Sequence, residues 1–216
     1  MPTRTYSAVL LELHFLPSVA YFAALAAHPA VYLEQHEHYV KGSYRNRCHI
    51  AGVNGVQRLT IPLKKGKNQQ QAIREVRIAY DGPWPSRHWQ SIRSAYGNAP
   101  FFEHYAPHFE PFFNKKFGLL FDFNFELLMV CLRLLNLKTE IHFTENWSDT
   151  SAEGMLDLRG QFNPKQNPGS YSLHYYPQVF EDRLGYVPNL SVLDLLFCAG
   201  TEAAGILKKS WLPSRR

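Results

Sequence analysis

The hydrophobic pattern of the first 34 residues predicts a strand, a helix and a second strand. Residues 5–13 form a short apolar run, residues 19–28 form an alanine-rich segment of helical length that begins after Pro17, and Ala30–Glu34 is again apolar. A strand, a helix and a strand in this order predict parallel pairing with a right-handed crossover. The loops after both strands then lie at the carboxyl edge of the sheet, where ligands usually bind in open α/β folds.

The middle of the chain alternates apolar and polar residues, as strands with one buried face do. This pattern covers residues 47–51, 57–63 and 75–80, and Asn54-Gly55 between the first two predicts a hairpin. Ser86 follows a Pro-rich turn and is expected to cap the next helix. A second aromatic-rich helix is expected over residues 101–113.

Apolar residues spaced by three and four predict a long, largely buried helix over residues 120–137. A short strand is expected over residues 141–144, and an apolar helix over residues 190–199. The stretch between them, residues 148–176, is polar and rich in Pro and Gly, which is typical of a functional loop or lid. We therefore predict one α/β domain over residues 1–216: a mixed sheet with an N-terminal βαβ unit, an antiparallel hairpin section and packed long helices.

The positive charge is concentrated in one part of the sequence. The chain has 216 residues and a net charge of +5, but residues 41–93 contain eleven of its 23 Lys and Arg residues with only Glu75 and Asp81, a net charge of +9. Charge of one sign on one surface favours an anionic partner. No zinc finger, RNP-type motif or basic repeat accompanies it, so we expect a small anionic molecule and no nucleic acid.

Several other classes of protein are disfavoured by missing motifs. The three cysteines are scattered, which argues against a disulfide framework and against a zinc site made of cysteines. The chain shows no signal-peptide pattern and no uninterrupted apolar run of about 18 residues. We therefore expect a cytoplasmic protein without a membrane span. No P-loop, G-x-S-x-G or G-x-G-x-x-G motif is found, so no cofactor is expected. The oligomeric state stays open.

The segment of residues 41–47 is the best candidate for a binding site. Lys41, Arg45 and Arg47 would bind a phosphate or carboxylate, since the planar fork of arginine fits these groups, and Asn46 would hydrogen-bond a sugar or the backbone. The alternative is a set of structural ion pairs with Glu34 and Glu37. We favour anion binding, because two acids cannot neutralise this cluster and its basic surroundings.

A metal site in the same region is a weaker alternative. His36, His38 and Glu34 share one side of an extended segment and could bind zinc or iron. The nearby Lys41 and Arg45 would repel a cation, so we expect no metal.

His88 is the candidate catalytic residue. It would occupy the second position of the helix capped by Ser86, where the positive helix end keeps an imidazole neutral and able to act as a base. The alternative is a histidine packed beside Trp84 and Trp89. Ser191 and Asp194 have the S-x-x-D spacing of a capping box, so we interpret them as structural.

Six segments in this order resemble the WbqC-like protein family. They are Phe15-Leu-Pro-Ser-Val-Ala-Tyr-Phe22, residues 41–47, Leu59-Thr-Ile-Pro62, Trp84 with His88, Tyr96-Gly-Asn-Ala-Pro-Phe101 and Asn189-Leu-Ser-Val-Leu-Asp-Leu-Leu-Phe197. The resemblance covers most of the chain. It departs from the family at Glu12-Leu13, where a Gln-Pro pair is common, and at Tyr44, where Trp is common.

The resemblance implies a bacterial protein of surface-polysaccharide biosynthesis. Members of this family occur in gene clusters for O-antigen and other surface polysaccharides, and some are suggested to transfer glycine to a sugar. We therefore expect a transferase for acyl or aminoacyl groups that acts on an activated sugar, with a nucleotide sugar or an acyl donor as its anionic substrate. The alternative is a non-catalytic binding protein for an anionic glycan precursor or partner. In either case Arg45, Arg47 and His88 should converge on one cleft.

Overall fold

The computed structural model describes residues 6–64, 71–165 and 171–210, and these form a mixed α/β fold, as the sequence predicts. The strands are Ala8–Glu12 (β1), Ala30–Glu34 (β2), Arg47–Gly52 (β3), Gly55–Thr60 (β4), Glu140–Phe143 (β5) and Met155–Asp157 (β6). The α-helices are Val19–Ala26 (α1), Trp84–Tyr96 (α2), Phe102–Asn114 (α3), Leu120–Leu134 (α4), Glu181–Leu184 (α5), Val192–Ala199 (α6) and Ala203–Ser210 (α7). Short 3-10 turns lie at Tyr44–Asn46, Ile73–Glu75 and Gly200–Glu202.

A four-stranded parallel sheet with the order β5-β2-β1-β6 positions the candidate site. The predicted βαβ unit is confirmed, since β1 and β2 pair in parallel from Ala8 opposite Ala30 to Glu12 opposite Glu34. The outer strands β5 and β6 are also parallel to their neighbours. All four strands therefore end at one edge of the sheet, which is where a ligand site is expected.

β6 is a strand that the sequence pattern does not predict. It has three residues, lies inside the polar stretch 148–176, and pairs with β1 between Ala8 and Leu10. A segment this short has no periodicity of its own, and it becomes a strand because the edge of β1 offers backbone partners. It brings Asp157 to the carboxyl edge.

The predicted hairpin is present, but the third predicted strand of that section is not. β3 and β4 pair antiparallel from Arg47 opposite Thr60 to Gly52 opposite Gly55. Residues 75–80 form only the isolated bridges Leu63–Ile78 and Arg77–Leu119. Pro62 lies opposite this segment and accepts from the Ala79 amide, but it has no amide hydrogen to donate, so a regular ladder cannot continue there.

Aromatic side chains join the hairpin, the helices and the sheet into one core. Phe123 of α4 is fully buried, and its ring lies 4.8 Å from that of Phe117 and 5.7 Å from that of Phe15. Trp84 of α2 contacts the same ring edge-to-face at 6.2 Å. The loop after β1, which contains Phe15, is thereby fixed against α2 and α4.

The two serines predicted as helix caps differ in their roles. Ser191 caps α6: its hydroxyl accepts from the Leu193 amide at 3.4 Å and donates to the Leu16 carbonyl at 2.9 Å. Ser86 does not cap α2, which already begins at Trp84, and its hydroxyl donates to the Pro83 carbonyl. The prediction that Ser86 is the N-cap is therefore wrong.

We expect Ser191→Ala to lower the free energy of unfolding by about 1–2 kcal/mol, because it removes a buried cap and a buried hydrogen bond. Ser86→Ala is the matched control and should change it by less than about 0.5 kcal/mol, because Ser86 is exposed. Urea unfolding followed by circular dichroism measures both values. A loss for Ser86→Ala as large as that for Ser191→Ala would contradict this account of the caps.

Candidate functional site at the carboxyl edge of the sheet

Each strand of the parallel sheet carries a polar side chain where it ends. β1 ends in Glu12, β2 in Glu34 and β6 in Asp157, and Thr144 follows β5. Glu12 and Glu34 are fully buried. Buried carboxylates need charged or hydrogen-bonded partners, and two groups of side chains supply them here.

The first group surrounds Glu12 and contains Arg45. The His14 Nε2 atom lies 3.0 Å from Glu12 Oε1, and the Gly160 amide donates to Glu12 Oε2 at 2.9 Å. Arg45 forms a bidentate pair with Glu37, with Nε to Oε1 at 2.7 Å and Nη2 to Oε2 at 2.5 Å, and its Nη2 lies 3.8 Å from Glu12 Oε1. One guanidinium therefore lies between two buried carboxylates.

The protonation states follow from this arrangement. Burial raises the pKa of Glu12, but the hydrogen bond from His14, the charges of His14 and Arg45 and the hydrogen bond from the Gly160 amide outweigh it and lower the pKa to about 2. Burial is the largest influence on His14 and lowers its pKa, while Glu12 opposes this shift. Glu12 is therefore ionised and accepts a hydrogen bond at Oε1 from His14 Nε2. Burial raises the pKa of Glu37, with Arg45 opposing it.

The second group surrounds Glu34 and contains Arg159. Arg159 Nη1 donates to Glu34 Oε2 at 3.1 Å, while its Nε and Nη2 atoms donate to the Asp157 carboxylate. The other oxygen of Glu34 accepts from the His36 amide at 2.7 Å and from the Thr144 hydroxyl at 2.9 Å. Glu34 thus joins three of the strand ends through its side chain.

The three cations of the 41–47 segment differ in burial: Arg45 is buried, Arg47 is half-buried and Lys41 is exposed. The 3-10 turn Tyr44–Asn46 breaks the strand alternation, so Arg45 turns inward to Glu37 while Arg47 begins β3. Arg47 lies opposite Thr60 in the hairpin, and Lys41 is exposed. The ion pair with Glu37 that competes with anion binding by Arg45 is present. Neither Lys41 nor Arg47 has a salt bridge to the described residues.

Five of the buried polar atoms that have no hydrogen-bond partner among the described residues belong to residues at the end of this segment or linked to it. They are Asn46 Oδ1, Arg47 Nε, Thr60 Oγ1, His88 Nδ1 and Asn124 Oδ1. Their residues are linked to one another and to the segment: Asn46 Nδ2 donates to the Ile61 carbonyl at 2.9 Å, and Asn124 Nδ2 donates to the Arg45 carbonyl at 2.7 Å. Buried polar atoms are almost always paired, so such a group indicates a place where water or a ligand binds.

His88 lies next to the cross-strand pair of Arg47 and Thr60. It is the fifth residue of α2, not the second, so the helix end does not determine its protonation. Burial lowers its pKa to about 4, and a hydrogen bond to the Thr60 backbone opposes this shift. Its ring packs edge-to-face on Trp84 at 5.1 Å and lies 6.3 Å from Phe15. The imidazole is neutral near pH 7 because it is buried.

His88 is hydrogen-bonded to the Thr60 backbone and Arg47 lies opposite Thr60 in the hairpin, whereas the Arg45 guanidinium is paired with Glu37 and lies near Glu12, so Arg45 does not join the other two as predicted. Sequence reasoning did not select Glu12, His14 or Arg159. The sequence shows only that Glu12 and His14 interrupt an apolar run, Glu12 as the last residue of β1 and His14 just after it, and Arg159 lies in the polar stretch in which β6 is not predictable. For the described residues, no group of three or more His, Cys, Asp or Glu side chains could hold a metal ion.

This arrangement defines an α/β protein with a polar site at the carboxyl edge of its parallel sheet. The chain belongs to the WbqC-like protein family, which it matches over residues 13–167. It is also 25% identical to "Uncharacterized protein Rv1507c" of Mycobacterium tuberculosis over 226 residues, which cover 92% of this chain and 96% of that protein. No solved structure matches it. Within the described parts of the chain, no helix is long and apolar enough to cross a membrane.

We expect Arg45→Met to lower the free energy of unfolding by about 3–5 kcal/mol, because it leaves Glu12 and Glu37 buried without their cation. Adding Glu37→Leu should recover part of this loss, since a buried charge is then removed. Lys115→Met is the control, because it breaks the exposed pair with Glu126 at 3.9 Å and should cost at most about 1 kcal/mol. Additive losses in the double variant, measured by urea unfolding, would show that Arg45 and Glu37 do not depend on each other.

His88 should make stability depend on pH between about 6.5 and about 4. The unfolded chain binds a proton at the usual pKa of 6.5, whereas the folded protein binds it only near 4, so stability decreases as the pH falls through this interval. The full contribution is about 3 kcal/mol.

Unfolding of wild type and His88→Gln at several pH values measures the difference. The variant should lose less stability than wild type on acidification, while His104→Gln, at an exposed position of α3, should behave like wild type. If the two curves for wild type and His88→Gln stay parallel, His88 does not remain neutral in the folded protein.

Proposed function

We propose that this protein is a bacterial transferase that attaches an acyl or aminoacyl group, with glycine as one candidate, to an activated sugar or other anionic precursor of a surface polysaccharide. The reaction would take place in the cytoplasm. Membership of the WbqC-like family supports this proposal. The observation that carries it is the group of unpartnered buried atoms on Asn46, Arg47, Thr60 and His88 at the end of the basic segment.

In this proposal the basic segment binds the anionic part of the substrate. Arg47 Nε is a donor that has no partner in the described parts of the chain, and Lys41 is an exposed cation, so both can bind a phosphate or carboxylate. Asn46 would orient the acceptor, because its Nδ2 is occupied by Ile61 while its Oδ1 is left to accept from a hydroxyl or amine. Arg45 would contribute by holding the segment through Glu37, and not by direct contact with the anion.

His88 is the proposed general base. Its Nδ1 has no partner among the described residues, so we assign the hydrogen bond with the Thr60 backbone to Nε2, which leaves the lone pair of Nδ1 to take a proton. His88 would remove the proton from the attacking amine or hydroxyl as that atom bonds to the acyl carbon. The leaving group would then depart from the tetrahedral intermediate and take the proton from the imidazolium.

The second candidate is a binding protein for an anionic glycan precursor without turnover. The burial of His88 favours it, because the side chain is 8% exposed and a substrate must reach Nδ1 past the hairpin or α2. The two candidates share the anion site and differ only in chemistry. Turnover therefore separates them.

The experiment uses a nucleotide sugar as ligand and a glycyl thioester as donor. Arg47→Ala should weaken nucleotide-sugar binding by about tenfold or more, because a charge-assisted contact is lost, whereas Arg93→Ala on the exposed side of α2 should bind as wild type. His88→Gln should retain binding and lose about 10²–10⁴-fold in rate. Calorimetry measures binding, and mass spectrometry measures the product.

Each outcome decides a different part of the proposal. Wild-type binding by Arg47→Ala would remove the anion site described above. Full turnover by His88→Gln would remove His88 from the mechanism. If the wild type binds the nucleotide sugar but does not consume it with a glycyl donor or any other acyl donor, the binding protein is favoured over the transferase.

A further inference from the structure

A cavity of about 650 Å³ lies on one face of the parallel sheet, and its lining does not include His88 or the residues with unpartnered atoms near it. Its floor contains one residue from each strand: Leu10 of β1, Tyr32 of β2, His142 of β5 and Met155 of β6. The other face of the sheet carries fully buried apolar residues such as Val9 and Val31, so the cavity and the core lie on opposite faces. The loop after β5 forms its rim.

The charged end of this cavity is built from the buried Glu34 and the half-buried Thr144 and Arg159, which are hydrogen-bonded to it. Glu34 is 1% exposed, and its orientation is fixed by Thr144 and Arg159, both of which also line the cavity. The Arg159 guanidinium has five N–H donors, and three of them are used. The Nε donor and one donor on Nη2 bond to Asp157, and one donor on Nη1 bonds to Glu34. One N–H on Nη1 and one on Nη2 stay available among the described contacts.

The floor supplies aromatic surface. The Tyr32 and His142 rings are stacked at 5.0 Å with an angle of 27° between them, and both line the cavity. The Arg159 guanidinium lies over the ring of Trp147 at 4.7 Å, and Trp147 is 51% exposed and lies in sequence between the lining residues Asn146 and Ser148. Planar aromatic surface beside fixed hydrogen-bonding groups suits a ligand that has one apolar face and a rim of hydroxyls.

The charge of the cavity selects against an anion. Its charged residues are Glu34, Glu145 and Arg159, and Asp157 already neutralises the guanidinium. This excess of carboxylate is opposite in sign to the 41–47 segment. A phosphate therefore belongs at that segment and not in the cavity.

We propose that this cavity binds a neutral sugar ring, with hydroxyls on Glu34, Thr144 and the free N–H groups of Arg159 and the apolar ring face on Tyr32 and His142. This inference goes beyond the proposed function, because the neutral ring has a site separate from the acceptor beside Asn46 and His88. The Glu12 group connects the two sites: Gly160, next to Arg159, donates to Glu12, and Glu12 lies against Arg45.

The test uses methyl glucoside and N-acetylglucosamine as neutral probes, and glucose 1-phosphate and adenosine as counter-probes. Binding is measured by calorimetry and by saturation-transfer NMR with the full chain. Ala152→Trp places a large ring at an exposed lining position without removing a side-chain hydrogen bond, and Ala152→Ser is its matched control. His142→Ala removes one half of the aromatic stack, and His104→Ala is its control on α3.

We expect at least one neutral sugar to bind, Ala152→Trp to weaken it by about tenfold or more, and His142→Ala to weaken it by about threefold or more. Ala152→Ser and His104→Ala should bind as wild type. The inference is overturned if neither neutral sugar binds, or if Ala152→Trp leaves their binding unchanged. A preference of this cavity for adenosine or for glucose 1-phosphate would also overturn it.

The same measurements separate this inference from the transferase. If the wild type binds neither neutral sugar, but binds and converts a nucleotide sugar in a way that depends on Arg47, only the cavity assignment is wrong. Neutral-sugar binding that Ala152→Trp abolishes, in a protein without turnover, would support the cavity and contradict the transferase.

Discussion

The buried guanidinium of Arg45 is the constraint on which the candidate site depends. It lies between the carboxylates of Glu12 and Glu37, and the cost of burying these charges is offset only when all three are held together. Its backbone carbonyl accepts from Asn124 of α4, and the neighbouring Tyr44 carbonyl accepts from the Phe15 amide. One residue thereby ties the end of β1, the start of the hairpin and a helix of the aromatic core to one another.

The three cations of this segment have different environments. Arg45 is buried and paired with Glu37, Arg47 is half-buried and Lys41 is exposed. Arg47 begins the hairpin beside Thr60 and His88, where several buried polar atoms lack partners. The far end of the same sheet edge carries an excess of carboxylate around Glu34, so the edge presents a positive and a negative region side by side.

Much of the fold can be predicted from the sequence, because local patterns determine it. The βαβ unit follows from an apolar strand, helix and strand in succession, and the hairpin follows from alternation around Asn54. β6 and the contact that caps α1 cannot be predicted in this way. β6 is three residues long and forms by pairing with β1, and the Ala20 amide in the first turn of α1 donates to Asn189 Oδ1, 169 residues away.

The candidate site is predictable only in part, for the same reason. The composition of residues 41–47 indicates a cation cluster, but a single 3-10 turn at Tyr44–Asn46 decides which arginine is buried. His88 is neutral as expected, yet burial is the cause, since α2 begins two residues before Ser86. Glu12, His14 and Arg159 acquire their roles through contacts between distant segments, and these contacts leave no pattern along the chain.

The most direct measurement is a high-resolution crystal structure of the protein with a bound nucleotide sugar, examined around the pair of Arg47 and Thr60. We expect a ligand oxygen or nitrogen within about 3.2 Å of each of three atoms, Arg47 Nε, Thr60 Oγ1 and His88 Nδ1. Arg45 should still be paired with Glu37. The opposite result would be ordered water at all three atoms and the ligand bound elsewhere. A ligand bound to Arg45 that has separated from Glu37 would also contradict the proposed site.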